Sequence, residues 1–171
     1  MSSDTIKVTS TEGTEFEFKV VYLEKASMLK QMLVDLGGST ERREEIIPLA
    51  TISSETLLVI LEWLDKHEQE PTRDKEDLHT NRLNKAMLPL EDRELFDKLA
   101  PRKNLANVIN AAYFLDMPDL IDALVKYTAI NLEGKTEKDM SEWLEIPLQK
   151  DERKTTAAEG GEEEAAAKRG R

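Results

Sequence analysis

Two imidazoles, His67 and His79, are all this chain offers as neutral-pH acid–base or metal-binding nitrogens, and there is no cysteine to join them. A metal site needs several ligands converging at fixed distances. Both histidines lie in or beside a polar, charged stretch, where solvated surface histidines account for them more simply. Nucleophilic catalysis is no better supported, because no Ser-His-Asp spacing or nucleophile-elbow glycine pair is visible and there is no thiol. Carboxylate pairs such as Glu44-Glu45 and the Glu162-Glu163-Glu164 run read as solvated faces in a chain that is 35% charged. Gly37-Gly38 and Gly160-Gly161 lack the strand–loop–helix setting and following lysine or serine that cradle phosphate. The residue types predict no catalytic group, no cofactor and no metal site; an enzyme would need a concave site with perturbed carboxylates.

The bulk properties narrow the partners. With 35 acidic against 24 basic residues and a net charge of -11, the chain opposes a phosphate backbone, so nucleic acid is excluded as a general partner. The missing cysteines rule out disulfides and fit a reducing compartment, cytoplasm or nucleus. The first residues lack a signal peptide's basic start and apolar core, and no apolar run is long enough for a membrane span. A soluble intracellular protein is expected.

The elements that must position any site follow from periodicity. Residues 6–10 and 16–20 alternate around Thr11-Glu12-Gly13-Thr14, predicting a hairpin with Ile6, Val8, Phe16, Phe18 and Val20 on its buried face. A helix is expected over 22–36, carrying Leu29, Met32, Leu33 and Leu36 and stopped by Gly37-Gly38. Residues 45–49 make a short strand in which Pro48 belongs at an end or sheet edge. Ser53 or Ser54 caps the next helix, with Leu57, Leu58, Leu61 and Leu64 as its stripe and Ile60 and Trp63 broadening it. Residues 66–83 read as a flexible polar excursion.

The most informative stretch is 104–131, two apolar-periodic segments broken at Asp116-Met117-Pro118 after a short helix over 90–99. Leu105, Val108, Ile109, Ala112 and Leu115 mark one face, and Pro118 restarts the chain in a first helical turn. Leu120, Ile121, Leu124, Val125, Thr128 and Leu132 continue the packing surface up to Gly134, and Thr136 with Asp139 caps a last helix bearing Met140, Trp143 and Leu144. Most of these apolar residues are core. The late helices nevertheless carry more apolar surface than so small a domain covers, which predicts a patch for another protein's helices. After Gln149 the alanine-rich tail should be disordered or fraying.

Five segments, in order, resemble the Skp1 family: IKVTSTEGTEFEF (6–18), SMLKQMLVDLG (27–37), IPLATISSETLLVILEWLDKHEQEP (47–71), AAYFLDMPDLID (111–122) and EGKTEKDM (133–140). The likeness covers most of 6–146. It implies an α/β, BTB/POZ-type fold in which helices pack a small three-stranded sheet, plus a C-terminal helical extension. On that basis 1–68 is the N-terminal BTB/POZ part, 69–89 the excursion, 90–132 the remaining BTB/POZ helices, 133–148 an F-box-binding extension and 149–171 the tail.

The resemblance also implies a non-catalytic adapter that bridges F-box proteins to a cullin scaffold in an SCF-type ubiquitin ligase. It places F-box anchors at Leu120, Ile121, Leu124, Met140, Leu144 and Ile146. On the cullin side, the family's Asn-Tyr pair is replaced by Tyr113 and Phe114, which loses a phenolic hydroxyl and changes bulk, so cullin binding is expected to be altered, weakened or selective. The family's acidic final helix and Trp-Cys end are absent from 147–171, which predicts a reduced F-box clamp. A Skp1-like structural component of a non-cullin complex, such as a kinetochore assembly, is the main alternative. An elongin-C-like adapter is a second, opposed by the excursion and the extension. Without an F-box protein, the same late-helix patch could pair two copies of the chain.

Overall fold

The computed structural model describes residues 4–37, 46–73, 76–78 and 88–148. The chain divides into two compact units, Met1–Glu133 and a second that begins at Gly134. His79, the Gly38 half of the glycine stop, the Glu44-Glu45 pair and the tail expected after 149 lie outside the described residues.

The first unit is built on a three-stranded sheet of order β2-β1-β3, with β1 Thr5–Thr9, β2 Glu15–Lys19 and β3 Ile46–Pro48. β1 and β2 pair antiparallel, with Ile6 opposite Phe18 and Val8 opposite Phe16. The expected alternation therefore stacks apolar side chains on one face, and Val8 and Phe18 are fully buried. Gly13, at φ 79°, closes the connecting turn in a backbone region that disfavours a side chain. β3 lies parallel to β1 at the sheet edge, and Pro48 ends it opposite Thr9, where its missing N–H breaks no interior ladder.

The single helix expected over 22–36 is two elements. A 3-10 turn, Val20–Glu24, is followed after Lys25 and Ala26 by α1, Ser27–Asp35. Val20 therefore belongs to the turn and not to the strand. The reason is tertiary: burial of Tyr22 and Leu23 folds the chain back under the sheet, and Tyr22 meets Phe18 edge-on at 6.4 Å. No side chain caps α1; instead the N–H groups of Ser27 and Met28 donate to the carbonyls of Asp116 and Leu115 at 3.4 and 3.1 Å. Gly37, at φ 72°, stops the helix as expected.

Ser53 caps α2, Ser54–Lys66, by accepting the Thr56 N–H. The buried face of α2 is Leu57, Ile60, Trp63 and Leu64, whereas Leu58 is 58% exposed and thus belongs to the outer side. The buried face includes Trp63, and one such side chain contributes roughly 1.5–3 kcal/mol or more by burial.

Among the described residues, this unit also holds the helices α3 Leu90–Asp97, α4 Arg102–Phe114 and α5 Pro118–Leu132. α4 packs on α2 and α5, and α3 packs on α2 and α5. The break between α4 and α5 holds Asp116 at φ 52° and buries Met117 completely, so the two helices pack while Pro118 opens α5. In the second unit, Thr136 caps α6, Glu137–Leu144, by accepting the Asp139 N–H.

Candidate docking faces

Phe114 falls on one edge of a depression of about 420 Å³ walled by three loops and helices of the first unit. α4 supplies Asn107, Asn110 and Phe114, spaced three and four residues apart and therefore aligned on one face. The turn before α2 supplies Thr51, Ile52 and Ser53, and the hairpin turn supplies Thr11 and Glu12. Phe114 is 39% exposed and Tyr113 61% exposed, but Tyr113 does not line the depression. Of the Tyr113–Phe114 pair, only the phenyl ring joins the concave surface.

The geometry of that wall is held by the α2 N-terminus. Glu12 Oε2 accepts hydrogen bonds from the Ser54 N–H and the Ser54 hydroxyl, both at 2.9 Å, and the Ser54 hydroxyl also meets the Ser10 hydroxyl at 2.8 Å. These donors, the Ser54 amide foremost, hold the Glu12 carboxyl down to about 2. A carboxylate so firmly ionised cannot act as a general acid near neutral pH. One aromatic ring, two amides, hydroxyls and a fixed negative charge thus lie side by side on this surface.

The second face lies on α5. Leu120 and Leu124 are fully buried inside the first unit, so they are core side chains and present no surface to a partner. Ile121 is half-buried, and with Val125, Thr128 and Leu132 it follows a spacing of four, three and four residues; Val125 is 38% exposed. The open stripe is thus one helical position round from the two leucines. Apolar residues fall on both sides of α5, so their spacing does not decide which side faces inward.

α5 is locked by charge on its inner side. Lys126 Nζ stands 2.7 Å from Asp122 Oδ2, with the two side chains 2% and 1% exposed. At the start of the helix, where a carboxylate is favoured by the helix dipole, Asp119 meets Lys25 at 3.6 Å and Arg73 at 3.4 Å. Tyr127 packs edge-on against Phe96 at 5.4 Å and donates to Asp97 at 2.7 Å; burial, then that hydrogen bond, raises its phenol above the ordinary range.

In the second unit, α6 buries no residue; Met140, Trp143 and Leu144 are half-buried, while Ile146 and Leu148 are 58% and 47% exposed. Glu145, at φ 56°, turns the chain out of the helix, and the Ser141 hydroxyl donates to the Ile146 carbonyl. Met140, Leu144 and Ile146 therefore all carry accessible apolar surface.

His67 is not the solvated histidine expected. It is 7% exposed, stacked against Trp63 at 4.4 Å between ring centroids, and bonded to Asp92 and Glu70. Asp92 lies 25 residues on, in a helix that looks solvent-facing from its charge, so only tertiary packing reveals the pairing. Among the described residues, no group of three or more histidine, aspartate or glutamate side chains is placed to hold a metal ion. Among them, too, no helix is long and apolar enough to cross a membrane.

A small three-stranded sheet packed by helices makes this an α/β protein of the BTB/POZ type. Residues 4–69 match the family described as Skp1 family, tetramerisation domain. The suppressor of kinetochore protein 1 of Schizosaccharomyces pombe is 27% identical over 142 residues, covering 83% of this chain and 85% of its own. The S-phase kinase-associated protein 1 homolog of Tetrahymena thermophila is 27% identical, covering 85% and 84%. The E3 ubiquitin ligase complex SCF subunit sconC of Arthroderma benhamiae is 26% identical, covering 85% of each. The chain is thus similar to Skp1-family proteins, with the family's tetramerisation domain matched over residues 4–69.

Proposed function

We propose that this protein is a non-catalytic adapter of an SCF-type ubiquitin ligase, holding an F-box protein and a cullin scaffold together in the nucleus and cytoplasm. The observation that carries the reading is the half-open stripe Ile121–Val125–Thr128–Leu132 on a helix whose other side is locked into the core. Such a stripe gains from covering by an amphipathic partner helix, and the apolar face of α6 is a further contact surface for F-box proteins. The naming of a relative as an SCF subunit supports the same role. Cullin is assigned to the depression around Phe114, where the aromatic ring keeps apolar contact and the lost hydroxyl weakens or narrows the choice of cullin.

The test is co-purification of an F-box fragment with wild type and with Val125→Asp and Leu144→Asp variants, each checked for folding by circular dichroism. Both aspartates should reduce recovery at least several-fold, since placing an unpaired charge against a partner's apolar surface costs several kcal/mol. Undiminished recovery by both folded variants would remove the reading. Binding should also stabilise wild type by about 2.7 kcal/mol at a hundredfold excess over Kd. A second reading, a structural component that binds F-box proteins without a cullin, is favoured by Tyr113 and Phe114 and distinguished by retained F-box binding with no cullin binding.

A further inference from the structure

Each ring nitrogen of His67 faces a carboxylate: Nε2 lies 2.7 Å from Asp92 Oδ1 on α3, and Nδ1 lies 2.8 Å from Glu70 Oε2 in the turn after α2. A neutral imidazole has one N–H and one lone pair, so it can satisfy only one of these partners and would set a lone pair against the other. The protonated ring satisfies both. Its position at the C-terminal end of α2, where the His67 N–H closes the last turn on the Trp63 carbonyl, also favours a positive charge.

Among the described residues, the cations near that charge are each paired with another carboxylate. A cavity of about 230 Å³ beside the ring is shared with Arg73 after α2 and with Asp122 and Lys126 on α5. Asp122 and Lys126 neutralise each other at 2.7 Å, and Arg73 is paired with Asp119. Among the described residues, Asp92 and Glu70 are therefore left with His67 as their cation. Burial works against protonation of the ring, but the hydrogen bonds to Asp92 and Glu70 outweigh it, and the group titrates above its ordinary 6.5.

We propose that His67 is a proton-operated clasp: as imidazolium it ties α2 to α3 through Asp92 and fastens the following turn through Glu70, and loss of one proton to solvent frees that turn. The two carboxylates are unequal. Asp92 is 2% exposed and Glu70 58% exposed. On deprotonation the ring keeps Nε2–H for buried Asp92, gives up the Nδ1 proton, and Glu70 swings into water. Because the folded-state value is raised, the stability the clasp contributes is complete below about pH 6.5 and is lost as pH rises through the folded-state value.

The experiment follows the imidazole nitrogens of the full chain by NMR from about pH 5.5 to about pH 9, with a His79→Gln variant to assign the signals. His67 should titrate above about 6.5, and Glu70→Gln, whose amide can donate to the bare Nδ1, should lower its midpoint. Across the same range the wild-type Tm should fall by about 2–4 °C more than that of His67→Gln. A midpoint at or below the ordinary value, a midpoint unmoved by Glu70→Gln, or parallel Tm profiles would overturn the clasp. If His67→Gln does not fold, the comparison of wild type with Glu70→Gln decides.

Discussion

Replacing Asp122 by leucine removes one member of an ion pair that water scarcely reaches, the carboxylate being 1% and the ammonium 2% exposed at 2.7 Å separation. Taking each ion out of water costs several kcal/mol, which the pair offsets only while both members are present. With leucine at 122, Lys126 is left buried without its counter-charge, and breaking such a pair costs about 3–5 kcal/mol. That is a large part of the roughly 5–15 kcal/mol that holds an ordinary domain folded. In urea, with a slope of about 2 kcal/mol/M, the unfolding midpoint should drop by about 1.5–2.5 M. The loss should persist in high salt, because buried pairs are screened far less than surface ones. The double variant Asp122→Leu/Lys126→Met removes both charges at similar volume and should return to within about 1 kcal/mol of wild type or exceed it. A single variant within about 0.3 M of the wild-type midpoint, or a double variant as unstable as the single, would refute this account of the pair.

Restoring the family pair with Tyr113→Asn and Phe114→Tyr should strengthen binding to a cullin N-terminal fragment by about 2–10-fold, the worth of one net hydrogen bond; calorimetry showing no gain would detach these positions from the cullin. Glu12→Gln tests the hairpin-turn carboxylate: its folded value is lowered from 4.5 to about 2, so its contribution is present above about 4.5 and lost as pH falls toward 2. The variant should therefore show a flatter acid limb of stability between about pH 4.5 and about pH 2, and an unchanged acid unfolding curve would contradict the role given to Ser54. Thr136→Ala should destabilise α6 by about 1 kcal/mol, read as faster amide exchange at Asp139, while exchange in β1 and β2 stays as in wild type.

Elements governed by local rules were legible in the sequence. The hairpin register follows from alternation, Ser53 and Thr136 announce helix starts, and Pro118 and Gly37 sit where proline opens and glycine closes a helix. What could not be read is which side of an apolar helix faces inward. Leu58 and Leu57 are chemically identical, yet the fold turns one out and the other in. The same ambiguity hides that Leu120 and Leu124, read as F-box anchors, are buried while Ile121 and Val125 are the accessible residues. Long-range polar pairing is the other blind spot: nothing near His67 in the chain signals Asp92, and nothing near Glu12 signals Ser54. The spacing of Asn107, Asn110 and Phe114 was a usable sign of a polar helix face that periodicity in apolar residues alone passes over.

The first amides of α1 end on the carbonyls of Leu115 and Asp116, which lie far beyond the stretch matched to the family. A fragment cut after residue 69 would leave those two N–H groups with no acceptor and would also strip Asp92 from His67. The segment that evolution makes recognisable is therefore not a unit that can be transplanted by itself. Grafting or expressing it requires carrying the chain at least through the end of α4 and Asp116, whose carbonyl, with that of Leu115, finishes α1.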